Sequence, residues 1–572
     1  MDVLPYDIAN TIFSHLSQSD CLQCMDASPW WVAMTPQYAT RVWRDIEITN
    51  HTNLHQKHML QCLGPHVKNV TFRQLSNHRL IQAMHMLINQ QCTGLQQLEF
   101  IACSITDVST ILCLLQQLAG YSTVTTLFFH EAYQSNVDVI QIIEACPSLQ
   151  RLSYMTHLHG NSNKSSFNSP EDEGKRILKP SSKITHLHLH GGILQQAGDD
   201  ISRILHHCPF LENLCLCCDM RSCDRRRQPF DVETIQQICP KLTSVECNID
   251  CGGGGFLSSW QQYDDDRKEI SIGLRRFVAL EQKGYGSDQM APALMQHGRT
   301  LQVLSLSRDD RLCGMQTEWR NLDAWMNGSA LRVLSLDNIN IKGHTVAALL
   351  KQTPQVEEFL WVTPRADRMT NDVADALCEL DQLRCLHIGY CPGHGGGISC
   401  DDGRSIAGVD GFERLFECLG TTNKVNSSNR LQVLGLMGRG LVTDRMLKRI
   451  ATISTLKKLG LWYASAAGED DLSDDGMRHF ATHLQATRLE YLQLADMNAL
   501  SDKVLSQLVQ KQQHLRHVDL TGCNLVTNAG LLQLLNNVRS ISVNNCALIT
   551  RCAIAEFQTQ LGKHMVQFSP SD

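Results

Sequence analysis

The sequence predicts an α/β fold in which a curved repeat solenoid has a parallel inner sheet and outer helices. A short apolar pattern recurs along most of the 572-residue chain: an apolar residue, two variable residues, then an apolar–variable–apolar triplet. Stretches of helical character separate successive copies, which are mostly spaced at about 23 to 35 residues. A single unit of this kind cannot bury its apolar face, so neighbouring units are expected to stack.

Each copy of the pattern predicts a short strand with one buried face, because its apolar residues alternate. Clear copies start at Leu95, Leu211, Leu301, Leu331, Leu383, Leu431, Leu456, Leu489 and Leu515. Weaker copies start at Val67, Val124, Leu149, Ile184, Leu242, Leu274, Val356 and Val538. They predict about 17 repeats. A doubly wound sheet is the alternative, but its strands are apolar on both faces, and these alternate.

Three of the helical stretches end in the same way, with Cys146, Cys208 or Cys239 followed directly by proline. Each cysteine is predicted to close the apolar face of its helix, and the proline then stops the helix before the next strand. Thr353 takes the place of the cysteine in a fourth copy. Strand, turn and helix at this period resemble leucine-rich repeats, and the turn after Leu520 resembles their cysteine-containing class.

Composition narrows the classes of function. A net charge of −7 gives no electrostatic reason to bind nucleic acid. No apolar run approaches the length of about 20 residues that spans a bilayer, and the N-terminus lacks the pattern of a signal peptide. The 24 cysteines are therefore expected to be free thiols in the cytoplasm, the nucleus or both, with packing as their main role.

Residues 1–48 do not fit the repeat and are predicted to form short helices. A Leu-Pro opening is followed by an apolar stripe, a polar break at 17–20 and a third stretch rich in aromatic residues that closes with Trp43-Arg44. Residues in this order resemble an F-box. The segment departs from the family pattern at 28–31, where Ser-Pro-Trp-Trp stands in place of the cysteine–basic–x–Trp step.

An F-box followed by leucine-rich repeats resembles the substrate receptors of Skp–cullin–F-box ubiquitin ligases. The resemblance implies an F-box over 1–48, a linker or cap over 49–66, a solenoid over 67–565 and a tail over 566–572. Insertions near 156–183, 250–270 and 390–430 interrupt the solenoid. The resemblance also implies that the F-box binds a Skp-type adaptor and, through it, a cullin–RING ligase. The repeats would then hold a protein substrate for ubiquitination and degradation.

The resemblance assigns adaptor contact to a set of apolar residues in the F-box. They are Leu4, Pro5, Ile8, Ile12, Phe13, Leu16, Leu22 and Trp31. Internal packing of the F-box is the alternative role for several of them, and Leu4 and Pro5 are the favoured contacts because they precede the apolar stripe.

Substrate contacts are expected on the concave face of the inner sheet, where the variable residues of each strand point. The candidates are His186, His188, His190, Arg151, Glu246, Trp462, Tyr491 and His517. Trp462 and Tyr491 lie on neighbouring strands and are a candidate anchor pair, because aromatic residues dominate interface hot spots. Coverage of the groove floor is the alternative.

The three alternating histidines raise the question of a metal. Beside Cys215 and Cys217 on the next strand, His186 and His188 would offer imidazole and thiolate ligands of the type that zinc prefers. Flat strands seldom build a tetrahedral site, so polar or pH-sensitive recognition is the favoured role. No cofactor is expected.

No motif of a protease, a nucleotide-binding loop, a nucleophile elbow or a dinucleotide site is evident, so the chain is expected to be non-catalytic. A receptor acts by holding a substrate lysine near a charged conjugating enzyme. The alternatives to the ligase role are an interaction scaffold and a ligand sensor that work without ubiquitin transfer.

Overall fold

Parallel strands run through both units of the chain, Met1–Leu274 and Arg275–Asp572, in the computed structural model. The residues that the structure describes are 8, 11–13, 15–132, 138–156, 182–191, 198–218, 232–249, 273–281, 287–308, 318–326, 330–390, 408–420, 431–438, 441–462, 472–534, 538–561 and 566–569.

The first unit contains a parallel ladder in which each strand pairs with the next one along the chain. Its described strands are β1 Asp45–Thr49, β2 Asn69–Arg73, β3 Gln97–Ile101, β4 Thr126–Ala132, β5 Arg151–Thr156, β6 His186–Gly191, β7 Asn213–Cys218 and β8 Ser244–Ile249. Its described helices are α1 Gln18–Ala27, α2 Pro29–Tyr38, α3 Lys57–Gln61, α4 Asn77–Asn89, α5 Val108–Tyr121, α6 Val139–Ala145, α7 Gly198–His206 and α8 Val232–Ile238.

The second unit repeats the same arrangement in a longer ladder. Its described strands are β9 Arg276–Glu281, β10 Val303–Arg308, β11 Val333–Asp337, β12 Glu358–Thr363, β13 Cys385–Tyr390, β14 Val433–Met437, β15 Lys458–Trp462, β16 Tyr491–Ala495, β17 His517–Thr521, β18 Ser540–Asn544 and β19 Val566–Ser569.

The helices of the second unit lie between these strands in sequence, and a 3₁₀ turn, Ala366–Arg368, follows β12. The described helices are α9 Ser287–His297, α10 Leu322–Trp325, α11 Gly343–Gln352, α12 Asn371–Cys378, α13 Val409–Gly420, α14 Asp444–Ile450, α15 Asp474–His483, α16 Asp502–Lys511, α17 Asn528–Leu532 and α18 Arg551–Leu561.

The core of each repeat lies between the sheet and the helices. In β16, Leu492 and Leu494 are fully buried, while the alternate residues Tyr491 and Gln493 keep part of their surface. The leading residue of the pattern, Leu489, is also fully buried and lies just before the strand. This alternation confirms the predicted α/β leucine-rich-repeat fold, and each of the predicted copies corresponds to one strand from β2 to β18.

Two strands lie outside the predicted solenoid. β1 crosses the predicted end of the F-box at residue 48 and pairs with β2. Its repeat has buried Trp43 where the other copies have leucine, isoleucine or valine, so the same residue that closes the F-box pattern also opens a repeat. β19 lies within the predicted tail and pairs with β18.

The turn after many strands requires a left-handed residue. Gln74, Ala102, Asn338 and Asp496 directly follow β2, β3, β11 and β16, and their φ angles are 55°, 52°, 55° and 54°. In this conformation the N–H of Asp496 donates to the carbonyl of Thr521 on the next strand, over 2.7 Å. Gly522 occupies the same place after β17 with φ 63°, a conformation that glycine adopts without a steric cost.

Buried cysteines occupy two repeated places. Cys146, Cys208 and Cys239 close the helical face, as the sequence predicts, and are at most 1% exposed. Cys103 and Cys523 lie two residues after a strand, where the thiol of Cys523 donates to the carbonyl of Leu494 on the preceding strand, over 3.4 Å. Both places are structural, and every cysteine that the structure describes is a free thiol.

The first residue of many helices links one repeat to the next. The carboxylate of Asp502, which begins α16, accepts from the N–H and the hydroxyl of Thr527, over 2.8 and 2.6 Å. Asp444 accepts in the same way from Ser473. A Cβ at Gly530 would overlap the Asp502 carboxylate, so glycine is required there. We call these contacts the helix-start ladder.

Most of the three predicted insertions lie outside the described residues. The third one is an exception, because Val409–Gly420 forms the regular helix α13 of its repeat. Arg445 and Arg449 of the next helix form ion pairs with its Glu413. The long spacing at this point therefore contains an ordinary repeat helix.

Candidate functional site

The N-terminal module is built around Phe13, which is 2% exposed. Its ring packs edge-on against Trp31 and in a stacked arrangement with Tyr38, with centroid distances of 5.3 and 6.2 Å. Ser17 and Asp20 form a capping box that starts α1, and Ser28 with Pro29 starts α2. Phe13 is thus an interior residue of the module in this structure, the alternative role left open above.

An apolar surface remains on this module. Ile8 and Ile12 are 50% and 42% exposed, and Trp30 is 37% exposed. Leu16, Leu22 and Trp31 are half-buried. Leu4 and Pro5 lie outside the described residues. We call Ile8, Ile12 and Trp30 the apolar patch. Trp30 is not among the predicted contacts, although the Trp-Trp pair at 30–31 indicates an aromatic residue beside Trp31.

The module is attached to the first repeats. The side-chain amide of Gln18 donates to the carbonyls of Val42 and Asp45, over 3.0 and 2.6 Å. Buried Met25 meets the thiol of Cys62 at 3.6 Å. A segment this short has few apolar residues for a core of its own, and these contacts supply the support that it needs.

On the inner face of the first unit, neighbouring strands are linked by pairs of polar side chains. Arg73 donates to Glu47, and the Glu99 carboxylate accepts from Thr71 at 3.0 Å and lies 3.6 Å from the His130 imidazole. Glu47 and Glu99 thus each face a basic or hydroxyl partner on an adjacent strand, while Asp45 of β1 accepts from the side-chain amide of Asn69.

The histidine rung on β6 has the predicted register. His186, His188 and His190 stand opposite Asn213, Cys215 and Cys217 of β7, and Cys215 stands opposite Glu246 of β8. Nδ1 of His188 lies 3.1 Å from the Ser153 hydroxyl, and Nε2 of His186 lies 3.0 Å from the Asn213 amide.

Burial lowers the pKa of His186, and the positive charge of Arg151, which stands opposite it on β5, acts in the same direction. His190 is 5% exposed. Within the described part of the chain, no three His, Cys, Asp or Glu side chains are placed to hold a metal ion. The Cys217 side chain lies outside that part, so the candidate zinc set is not fully described.

The inner face of the second unit is crossed by small residues. Gly435 and Gly460 stand opposite each other on β14 and β15. A Cβ at Gly435 would overlap the imidazole of His387, and one at Gly460 would overlap the indole of Trp462, so both rings lie across glycines. Burial, followed by the charge of Lys458, lowers the pKa of His387 to about 4. His387 was not among the predicted site residues, although its place between the inward residues Leu386 and Ile388 puts it on the inner face by the same alternation.

A polar arrangement on the inner face of the second unit joins β16 and β17. The rings of Tyr491 and His517 stack across neighbouring strands, with centroids 4.6 Å apart and planes at 12°. The Tyr491 hydroxyl donates to Gln493 over 3.4 Å, and the Gln493 amide donates to Asp519 over 3.0 Å. Thr521 also donates to Asp519, over 3.3 Å.

These residues only partly match the predicted anchor pair. Trp462 and Tyr491 do lie on neighbouring strands, but the register places Trp462 opposite Ala495 and Tyr491 opposite Lys458. The ring stacked on Tyr491 is the His517 imidazole. We call Trp462, Tyr491, Gln493, His517 and Asp519 the aromatic–carboxylate surface; Gln493 and Asp519 were missing from the predicted contacts.

Burial shifts the titration of this surface. It raises the pKa of Asp519, lowers that of His517 and raises that of Tyr491 to about 12, where the nearby Asp519 charge adds to the effect. At neutral pH His517 is therefore uncharged and does not neutralise Asp519.

The buried thiols are unsuited to nucleophilic chemistry. Burial raises the pKa of Cys146, Cys208 and Cys523 to about 12, and that of Cys21 to about 11. These residues therefore stay protonated at neutral pH, whereas the thiolate is the reactive form of cysteine.

None of the helices that the structure describes combines the length and apolar character needed to cross a membrane.

Comparison with known proteins gives similarity at the level of the fold. No family model matches the sequence, and no curated protein matches it at a significant level. Among solved structures, the chain is similar to one in the crystal structure of the Rad7 and Elc1 complex in yeast, with 13% identity, a TM-score of 0.38, and coverage of 91% of this chain and 89% of the other.

Two further structures show similarity of the same kind. One is a leucine-rich-repeat protein of Leptospira interrogans, with 11% identity, a TM-score of 0.31 and coverage of 94% and 98%. The other is the TLR13–ssRNA13 complex, with 14% identity, a TM-score of 0.30 and coverage of 93% and 62%. These similarities concern the course of the chain alone.

Proposed function

We propose that this protein is the substrate-recognition subunit of an SCF-type ubiquitin ligase that works in the cytoplasm, the nucleus or both. The N-terminal module would dock on a Skp-type adaptor, and the inner faces of the repeats would hold a protein substrate for ubiquitination. The observation that carries the proposal is the apolar patch of Ile8, Ile12 and Trp30, exposed on a helical module that precedes a leucine-rich-repeat ladder.

Exposed apolar groups of this size favour a protein partner. Isolated surface leucines or isoleucines are common, but large aliphatic and indole side chains on one small module supply the apolar area that interfaces bury. The ring of Trp30 packs edge-on against Trp31, which in turn packs against buried Phe13, so the indole of the patch is held by other aromatic rings. A rigid surface loses less side-chain entropy on binding.

A receptor of this kind needs no catalytic group of its own. It raises the effective concentration of a substrate lysine near a charged conjugating enzyme, which is a matter of position.

The test is co-purification with a Skp-type adaptor after co-expression. Changing Ile8 and Ile12 together to Asp should lower adaptor recovery at least about tenfold, because two charges would be buried in the interface. The matched control changes Leu525 and Leu548 to Asp; both are 50% exposed and lie in the second unit, so adaptor recovery should stay unchanged. Equal recovery of the Ile8/Ile12 variant would refute the docking role.

A second measurement separates the ligase from the alternative scaffold. The adaptor complex should recruit a cullin–RING ligase and support ubiquitin transfer to a captured substrate in a reconstituted reaction. Adaptor binding without cullin recruitment would instead favour the scaffold. Leu4 and Pro5 are tested separately, by changing both to Ala, since they stay predicted contacts.

A further inference from the structure

Asp519 is an inner-face carboxylate that is held by neutral hydrogen-bond donors. On the first unit, Glu47 pairs with an arginine and Glu99 lies within ion-pair distance of a histidine. Asp519 accepts only from neutral groups, the Gln493 amide and the Thr521 hydroxyl among them. Within the described residues no Lys, Arg or His atom lies within 4.0 Å of its carboxylate.

A half-buried carboxylate in this state is held in place but has no counter-ion among the residues that the structure describes. Its neutral donors orient the two oxygens, and burial disfavours the negative charge. A cation brought to these oxygens would form a charge-assisted hydrogen bond, which is about twice as strong as a neutral one. The nearest lysine in the register, Lys458, is aligned with His517 from two strands away, which places its backbone more than about 10 Å from that of Asp519 at the usual strand spacing.

Aromatic rings stand on β15, β16 and β17, which are the strand of this carboxylate and the two strands before it. The rings of Tyr491 and His517 stack on each other, and the indole of Trp462 lies across Gly460, which is opposite Gln493 in the register. Aromatic faces attract cations through their quadrupole, and the aliphatic stem of a long basic side chain packs against them.

We propose that the aromatic–carboxylate surface binds a lysine or arginine side chain of the protein held by the repeats, with Asp519 as its counter-ion and Tyr491 and Trp462 as its aromatic walls. This inference rests on the proposed function, because it names the chemistry of the substrate at one place on the inner face.

Other occupants fit this surface less well. An acidic side chain would meet the Asp519 charge at close range, and an apolar one would bury that charge without compensation, which is costly. A metal ion is disfavoured because no three ligating side chains are placed to hold one in the described part of the chain. The basic side chain alone satisfies both the carboxylate and the rings.

The test is a selection of displayed random peptides on the full-length protein and, in parallel, on the Asp519→Asn variant. Peptides selected on the unchanged protein should share one lysine or arginine. Synthetic copies in which norleucine replaces that residue should bind at least about tenfold more weakly, as should the original peptides on the Asp519→Asn variant. Combining both changes should add little further loss, because they remove the same contact.

Matched variants protect the test against unfolding. Asp381→Asn changes an exposed aspartate of the same unit and should leave peptide affinity unchanged. Tyr491→Leu keeps the carboxylate but removes a ring, and affinity should fall by about threefold. Peptides without a shared basic residue, affinity that is insensitive to Asp519→Asn, or no selected peptide at all would each overturn the inference.

Adaptor recovery is measured on the same Asp519→Asn protein and should equal that of the unchanged chain. If the peptides fail any of these tests while adaptor recovery is intact, only the basic-residue contact is refuted. Failure of adaptor recovery in the unchanged chain, with Asp519-dependent peptide binding present, would refute the ligase role and leave the contact standing.

Discussion

The inner faces of the two units use the same strand geometry for different purposes. In the first unit, polar side chains pair across strands, as Arg73 does with Glu47 and Ser153 with His188. In the second, glycines lie under the rings of His387 and Trp462, and polar partners gather around Asp519. One repeat pattern thus supports a matched surface and a surface with a carboxylate that has no ion-pair partner among the described residues.

This difference distinguishes the residues that stabilise the fold from the inner-face residues, which can vary between repeats. The inward leucines and the turn residues recur in both units, since every repeat must bury the same face. The residues that alternate with these leucines lie on the inner face of the sheet, away from the core, and are not required to be apolar. Recognition chemistry is therefore expected where a charge on that face has no ion-pair partner, and Asp519 on β17 is such a charge among the described residues.

The largest effect that separates the units is expected from their cores. Phe100 belongs to a row of packed rings, Phe72, Phe100, Phe129 and Tyr154, whereas Leu494 holds the equivalent place in β16. Phe100→Ala should destabilise the first unit by about 3–5 kcal/mol, and Leu494→Ala the second by about 2–5 kcal/mol. Hydrogen exchange read peptide by peptide should show faster exchange in the altered unit. An equal rise in both units would show that they unfold as one.

The next effect is a pH dependence to which His387 of the second unit contributes most. The pKa of His387 is about 4 in the folded chain and 6.5 in the unfolded chain. The contribution of this neutral imidazole to stability is therefore complete above pH 6.5 and is lost as the pH falls toward 4. The loss is about 3 kcal/mol. His387→Gln should flatten this fall in urea unfolding between pH 7 and pH 4.

Part of the slope should survive in that variant, because burial also lowers the pKa of His297 and His517 in the same unit. His51, which is exposed and lies in the first unit, provides the control through His51→Gln. A slope in His387→Gln identical to that of the unchanged protein would contradict the assignment.

A smaller effect is expected in the helix-start ladder. Asp502→Ala removes both bonds to Thr527 and leaves its N–H without that acceptor, which should cost about 1–3 kcal/mol. The free energy of unfolding from urea titration measures the loss, and exposed Lys503→Ala is the adjacent control. Equal stability of the two variants would show that the ladder contributes nothing.

The smallest effect should come from the exposed ion pair of the first unit. The side chains of Arg73 and Glu47 are 44% and 50% exposed, so water and salt screen their attraction. Arg73→Ala should change stability by at most about 1 kcal/mol, and the difference should disappear in high salt. A larger loss would mean that the matched face of the first unit also holds its fold together.

The fold was largely predictable from the sequence because the leucine pattern reports burial directly, and each copy from Val67 to Val538 marks a strand. β1 was missed because Trp43 fits both the F-box pattern and the repeat. The outward positions followed from alternation, so Tyr491 and His517 could be placed on the inner face. Their stacking, and the way Trp462 lies over Gly460, depend on side-chain rotamers that no periodicity encodes.

The helix-start ladder also bears on how such a chain can change in length. Asp444 with Ser473, Asp502 with Thr527 and Asn528 with Thr550 are equivalent contacts at three junctions, and Asp474 accepts from the Ser501 hydroxyl at a fourth. A repeat that is duplicated or deleted as a whole brings an acceptor at its own helix and a donor for the one before it. Growth or loss of repeats in this region therefore needs no compensating mutation, and the inner face can gain or lose a strand in a single genetic event.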